Sequence, residues 1–321
     1  MWVLVLHSDV APDAPPDELD TLVTAEAVLK ALAANGHRAA RAAFVPDPAA
    51  LKAVTAEADA VFNLVESVGG NGLAACVAPA LLEQLGLRYT GGPAAAIALT
   101  GDKPATKRIL RAAGLPTPDW AEPPRWDGAG AARMIVKSAT EDASLGLDDD
   151  AVVAGRAAVR GRAAESAARY GGRWFAESYV EGREFNVAIL EEGGRPQVLP
   201  IAEMRFVDWA AERPKIVGYA AKWDDASPDA SATARAFGLE EREPALDAAL
   251  RDLSLKSWVL FSLRGYARVD FRVDEAGVPT ILEINPNPCL EPLAGFAAAA
   301  AEAGLSYDAL IARILDAATH D

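Results

Sequence analysis

A chain of 321 residues, 51% hydrophobic and 24% charged, is long enough for two or three packed subdomains and too apolar to be disordered. Lys plus Arg number 31 against 46 Asp plus Glu, a formal charge of −15. That balance argues against a nucleic-acid or anionic-membrane partner, while a local basic cluster can still hold a small anion.

In chain order, residues 2–6 read as a buried parallel strand. A loop rich in Pro and Asp (9–20) leads to an amphipathic helix over 21–35, closed by Gly36. Residues 39–44 and 60–64 read as the next strands, 79–85 as a helix stopped by Gly86, and 87–90 as a strand entering the Gly91-Gly92 turn. Alternating strand and helix predicts a doubly wound α/β unit. Residues 102–113 read as a helix, and Pro116, Pro118, Pro123 and Pro124 as a linker. Strands then dominate, at 134–137, 174–179, 184–190 and 197–203. Residues 233–237 and 244–264 read as helices, and a last strand pair, 267–273 and 279–284, precedes Asn285-Pro-Asn-Pro288 and a terminal helix. The breaks divide the chain into expected subdomains at 1–100, 101–182 and 183–321. Cys76 and Cys289 are too few for a disulfide framework, and MWVLVLHSD lacks the basic start of a secretion signal. No run of ~18 apolar residues marks a membrane span, so a cytoplasmic protein is expected.

The final strand pair carries the most chemistry. Ala267, Val269, Phe271 and Val273 alternate with Arg268, Asp270 and Arg272, and Leu282 and Ile284 alternate with Glu283 and Asn285. With the apolar faces in one core, the polar residues face one cleft. A turn over 274–277 sets Asp270 opposite Ile281 and diagonal to Glu283, roughly 7 Å away. Two carboxylates and an amide at that spacing suit Mg²⁺ completed by phosphates; the alternative is a solvated face with an Arg268–Glu283 pair. In MIVKSATEDASLG, Lys137 ends a strand before a loop with Thr140, Ser144 and Gly146, which could cover a triphosphate or simply be an acidic surface turn. In WFAESYVEGREF, Glu177 and Glu184 flank Tyr179-Val180, an extended backbone able to hydrogen-bond a purine.

As an ordered set, AVFNLVES, PALLEQLGLRYTGG, ALTGDKPATKRILRAAGLPTP, MIVKSATEDASLG, FAESYVEGREFNVAIL and ARVDF with ILEINPNP resemble the ATP-grasp superfamily. Within it the chain is similar to D-alanine–D-alanine ligase and its relatives over nearly its whole length. The resemblance implies an α/β fold (α+β multi-subdomain), an ATP-grasp unit behind an N-terminal doubly wound domain, with ATP between the second and third subdomains. It implies Lys103 and Lys137 as ATP contacts, Glu177 and the Val180 backbone at adenine, Glu184 at the ribose and Ser144 in the phosphate loop. Lys222 falls where a mobile loop points a lysine at the γ-phosphate. Asp270, Glu283 and Asn285 match the Mg²⁺ ligands (Mn²⁺ as a substitute), and Arg268 matches the arginine that stabilises acyl phosphate and tetrahedral intermediate. The partners implied are a small carboxylate and an amine, with a homodimer allowed.

The chain departs from dipeptide ligases where they hold substrate. A loop-locking serine is Ala143, its tyrosine partner is Trp223, a Gly-Met pair is Cys289-Leu290, a carboxylate-gripping serine is Ala294, and a histidine is Glu66. The expectation is therefore a carboxylate–amine ligase acting on something other than two D-alanines. The alternatives are a true D-alanine–D-alanine ligase and, from another class, an ATP-binding regulatory module without ligase activity. A dinucleotide oxidoreductase is set aside because no G-x-G-x-x-G follows Leu6.

Overall fold

The computed structural model describes residues 1–224 and 226–319. The first sheet is parallel, with β1 (Trp2–His7) between β2 (Arg38–Ala43) and β3 (Ala60–Leu64). α1 (Pro16–Ala34) packs on one face, and α2 (Pro48–Val54) and α3 (Val77–Gln84) on the other. Both faces of β1 are thereby buried, which is why it reads as an unbroken apolar run. Residues 87–90 form no full strand: a single parallel bridge joins Tyr89 to Val61. The chain turns away at once because Gly91 and Gly92 press on the segment after the metal-site strand. A Cβ on Gly91 would lie 2.7 Å from Asn287 Oδ1, and one on Gly92 2.7 Å from Pro286 Cβ.

After α4 (Ala94–Thr100) and α5 (Lys103–Ala112), the second sheet is antiparallel. It comprises β4 (Trp120–Ala121), β5 (Arg133–Ser138), β6 (Val152–Ala154) and, beyond α6 (Arg156–Tyr170), β7 (Trp174–Ser178), in the order β4-β7-β5-β6. The third sheet uses β8 (Arg183–Glu192), β9 (Arg195–Val198) and β10 (Ala202–Phe206). The expected strand at 197–203 is thus two strands, both pairing with β8; Pro200, which has no amide proton for a ladder, lies between them.

α7 (Tyr219–Trp223) and α8 (Pro228–Ala232) lead to β11 (Thr233–Ala236), α9 (Leu239–Arg242), α10 (Pro244–Leu260), β12 (Tyr266–Val273) and β13 (Pro279–Asn285). Residues 233–236 are a strand paired with β10, not the expected helix, since tertiary pairing overrides the propensity of a short Ala-rich segment. The order across this sheet is β11-β10-β8-β12-β13, and α10 covers its apolar face. The terminal helix is two, α11 (Gly295–Glu302) and α12 (Tyr307–Thr319). They close the far side of the first sheet, where Phe296, Leu310, Ile311, Ile314 and Leu315 share a core with Val3, Val5, Val28 and Phe62. Among the described residues no helix is long and apolar enough to cross a membrane.

Candidate active site

Arg268, Asp270, Glu283 and Asn285 meet on one face of the third sheet, because their alternate neighbours Ala267, Val269, Phe271, Ile281 and Ile284 fill the core behind it. The register differs from simple alternation. Val273 pairs with Pro279 and Phe271 with Ile281, but the next pair is Asp270 with Glu283. Leu282 is the extra residue of a β-bulge. Ile281 and Ile284, three apart, can then both point into the core, and Asp270 stands directly opposite Glu283 rather than opposite Ile281.

Asp270 is saturated with donors. Its Oδ1 accepts from Arg268 Nε at 2.8 Å and Asn186 Nδ2 at 2.8 Å, and its Oδ2 from Arg268 Nη2 at 2.9 Å and Asn285 Nδ2 at 3.2 Å. Glu283 is different. Burial alone would raise its carboxyl, but Lys103, Lys137, Lys222 and Arg268 outweigh it and hold the group down at about 2. An ionised glutamate, an opposed aspartate and the amide oxygen of Asn285 form an oxygen-only donor set of the kind Mg²⁺ takes, and would hold it there. Among the described residues no cluster of three or more His, Cys, Asp or Glu forms a metal centre without such an amide.

The lysines come from the second sheet and the helix beside it. Lys103 opens α5, whose N-terminus Asp102 caps by accepting from Ala105 N. Lys103 Nζ lies 2.9 Å from Glu141 O, 2.6 Å from Asp142 and 4.0 Å from Glu283. Lys137 reaches Glu177 at 2.7 Å, and Lys107, which sequence reasoning passed over, reaches it at 2.5 Å. Glu177 is held below the usual carboxylate range because these two lysines outweigh the effect of its burial. The signal for Lys107 was its place one helical turn after Lys103, on the buried side of α5.

Val180 and Glu184 sit toward the other end of the face, tied together by a second residue the sequence reading left without a role. Arg272 Nε donates to Val180 O at 3.0 Å and Nη1 to Glu184 Oε2 at 3.3 Å. Lys222 is exposed on α7 with no ion pair among the described residues, yet its charge reaches both Asp270 and Glu283. Ser144 donates Oγ–H to Val217 O at 2.9 Å. It and Ala143 hold left-handed φ values of 61° and 58°, a costly backbone for consecutive side-chain-bearing residues. Their loop is strapped to the segment bearing α7 by that bond, by Tyr219 N–H to Leu147 O (3.0 Å) and by Trp223 Nε1–H to Ala143 O (3.0 Å).

Residues 131–316 match the family described as D-ala D-ala ligase C-terminus. The D-alanine–D-alanine ligase of Laribacter hongkongensis is 31% identical, with 93% of this chain and 91% of that one covered. The chain belongs to the D-alanine–D-alanine ligase family. It is also 34% identical to the D-alanine–D-alanine ligase of Chromohalobacter salexigens, covering 74% of this chain and 71% of that one. The Bacillus anthracis D-alanine–D-alanine ligase structure, complexed with ATP, shares the fold at a TM-score of 0.76, 21% identity, and 99% and 97% coverage. The protein is therefore an enzyme of an ATP-dependent C–N ligase family, with an ATP-grasp fold behind its doubly wound domain.

Against this family background, the N-terminal wall of the cleft is acidic. Cys289 donates Sγ–H to Asp20 Oδ2 at 3.1 Å, and burial keeps that thiol protonated. Glu66 is exposed at the cleft; the protein walls that partly desolvate it, then Asp20, Asp142 and Asp17, push its carboxyl up to about 8 against the pull of Arg268. Asp17 also anchors the α7 segment by accepting from Tyr219 O–H at 2.7 Å. No sequence spacing signals this wall, because its members come from α1, the end of β3 and the segment after β13.

Proposed function

We propose that this ligase joins a carboxylate to an amine through an acyl phosphate, on amino-acid-like substrates other than two D-alanines. The observation that carries the reading is the Glu283 carboxylate, opposed to Asp270 and kept ionised by four cations from four separate elements. Such a cluster suits the handling of a triphosphate; a plain surface salt bridge needs no such convergence.

In this scheme Lys103, Lys137 and Lys222 hold the ATP phosphates, with Ser144 in the covering loop, while Glu177, the Val180 backbone and Glu184 hold the nucleoside. Mg²⁺, or Mn²⁺, held by Asp270, Glu283 and Asn285 would supply charge neutralisation at the phosphates. The donor carboxylate attacks the γ-phosphorus, ADP leaves, and the acyl phosphate is the product of that step. The acceptor amine then attacks the acyl carbon, loses a proton and expels inorganic phosphate. Arg268 lies over the developing negative charge, its guanidinium fixed in plane by Asp270.

The names of the relatives favour a true dipeptide ligase. Against it stand Ala143, Trp223, Cys289, Ala294 and Glu66. Trp223 in particular uses its indole N–H to hold a backbone carbonyl, placing a bulky ring on the strap over the cleft. The test is ADP release and product mass, first with pooled amino acids and small carboxylates, then with D-alanine alone. Release that needs a second, larger component supports the proposal. Turnover of ~1 s⁻¹ or more on D-alanine alone, with dipeptide as product, restores the plain dipeptide ligase.

A further inference from the structure

Arg235 lies on β11, outside every group assigned so far. Arg272 pairs with Glu184, Glu184 with Met204, and Met204 with Arg235. Directly opposed residues of antiparallel strands share a face, so Arg235 stands on the cleft face of the third sheet. Its Nη1 donates to Leu293 O at 2.9 Å, and its Nε is 3.7 Å from where a Cβ on Gly295 would lie. The guanidinium thus rests on the 293–295 segment, at Ala294.

Its electrostatic setting is unusual. Arg268 is neutralised by a bidentate contact with Asp270, whereas Arg235 has no ion pair among the described residues. Arg235 is exposed to solvent on this face; partial desolvation and then the like charge of Arg268 weaken its hold on its proton, which a guanidinium keeps nonetheless. Glu291 attracts it only from beyond ion-pair distance, with Oε2 accepting from Leu293 N–H at 2.7 Å. The phosphate-side lysines act on Glu283, while Arg235 feels Arg268, Glu291 and Cys289, the opposite end of the cleft. A solvent-exposed guanidinium with no ion pair among the described residues, beside a second arginine and near Cys289, whose thiol holds Asp20, is suited to the carboxylate of a zwitterion.

Resting on the ligase reading above, we propose that Arg235 binds the carboxylate of the acceptor amine, making the acceptor a free amino acid or a peptide with a free C-terminus. Hydroxylamine can replace the acceptor, trapping the acyl phosphate as a hydroxamate, and so tests the ligase reading by itself. D- and L-amino acids are then compared with their carboxamides as acceptors in the wild type, Arg235→Ala and Arg235→Lys.

In the wild type the free acid is expected to exceed its amide in kcat/KM by about tenfold or more. Arg235→Ala is expected to abolish that preference and raise the acceptor KM by about ten- to a hundred-fold. Arg235→Lys should restore part of it, and hydroxamate formation and the KM for ATP should stay within about twofold. An Arg235→Ala enzyme that keeps the preference overturns the assignment, as does one whose ATP KM or hydroxamate rate falls away in parallel. Absence of hydroxamate from every donor in the wild type would instead overturn the ligase reading beneath it.

Discussion

Replacing Glu177 by Gln keeps the shape of a buried side chain and removes its charge. Glu177 has 1% of its side chain exposed, and Lys107, also 1% exposed, has among the described residues only Thr117 Oγ1 at 2.9 Å as another partner for its ammonium. Removing one member of a buried ion pair ordinarily costs about 3–5 kcal/mol. An independent limit comes from the lysine itself, since burial already depresses its proton affinity. Once Glu177 no longer opposes that effect, the folded variant can shed the Lys107 proton. From an ordinary value of 10.5, doing so near pH 7 costs about 4.8 kcal/mol, roughly 3.5 units at ~1.36 kcal/mol each. Urea unfolding near pH 7 should therefore show Glu177→Gln less stable by ~3–5 kcal/mol. The unfolded chain keeps that proton up to 10.5 while the folded variant does not, so the variant's stability rises with pH. The penalty should shrink by ~1.4 kcal/mol per unit between about pH 7 and pH 9. A penalty under ~1 kcal/mol, or one flat across that range, would refute the buried-triad account.

Glu66 gives the opposite pH signature. Its folded value of about 8 lies above the usual 4.5, so between those limits the folded protein holds a proton the unfolded chain has released. The wild type should lose stability relative to Glu66→Gln as pH rises from 4.5 to 8, then run parallel above it. Melting curves of the two proteins that stay parallel throughout would contradict this. Trp223→Phe removes the 3.0 Å bond to Ala143 O but keeps the ring, loosening the strap by ~1 kcal/mol. Limited trypsinolysis at Lys222 should accelerate about fivefold when opening is rapid, and an unchanged rate would mean that this bond does not hold the strap.

The strand pair that carries the centre was legible because its alternation is strict: Arg268, Asp270, Glu283 and Asn285 share a face in the sequence pattern and in the structure. What alternation cannot show is a bulge. Leu282 looks like any core residue, and only the buried pair Ile281 and Ile284, at an odd spacing, reports that one residue has been spent on a shift of register. Asn186 was findable by the same rule, two residues after Glu184 on one strand face, but its contact with Asp270 depends on which strand pairs with β12. Arg235 was hidden by reading residues 233–237 as a helix, where no cleft face exists for it to share. The acidic wall is long-range and leaves no local trace.

The union of the last helices with the first sheet bears on how the chain is made. Val3, Val5, Val28, Leu32 and Phe62 emerge early from the ribosome, yet the core they belong to also needs Phe296, Leu310, Ile311, Ile314 and Leu315. Asn35 at the end of α1 likewise donates Nδ2–H to Asp308 O at 2.9 Å. The core between the first sheet and α1 therefore stays partly open until residues 296–315 have been translated. This unit is then translated ahead of the other two sheets yet completes its core after them, and the interval between is its period of greatest exposure to aggregation.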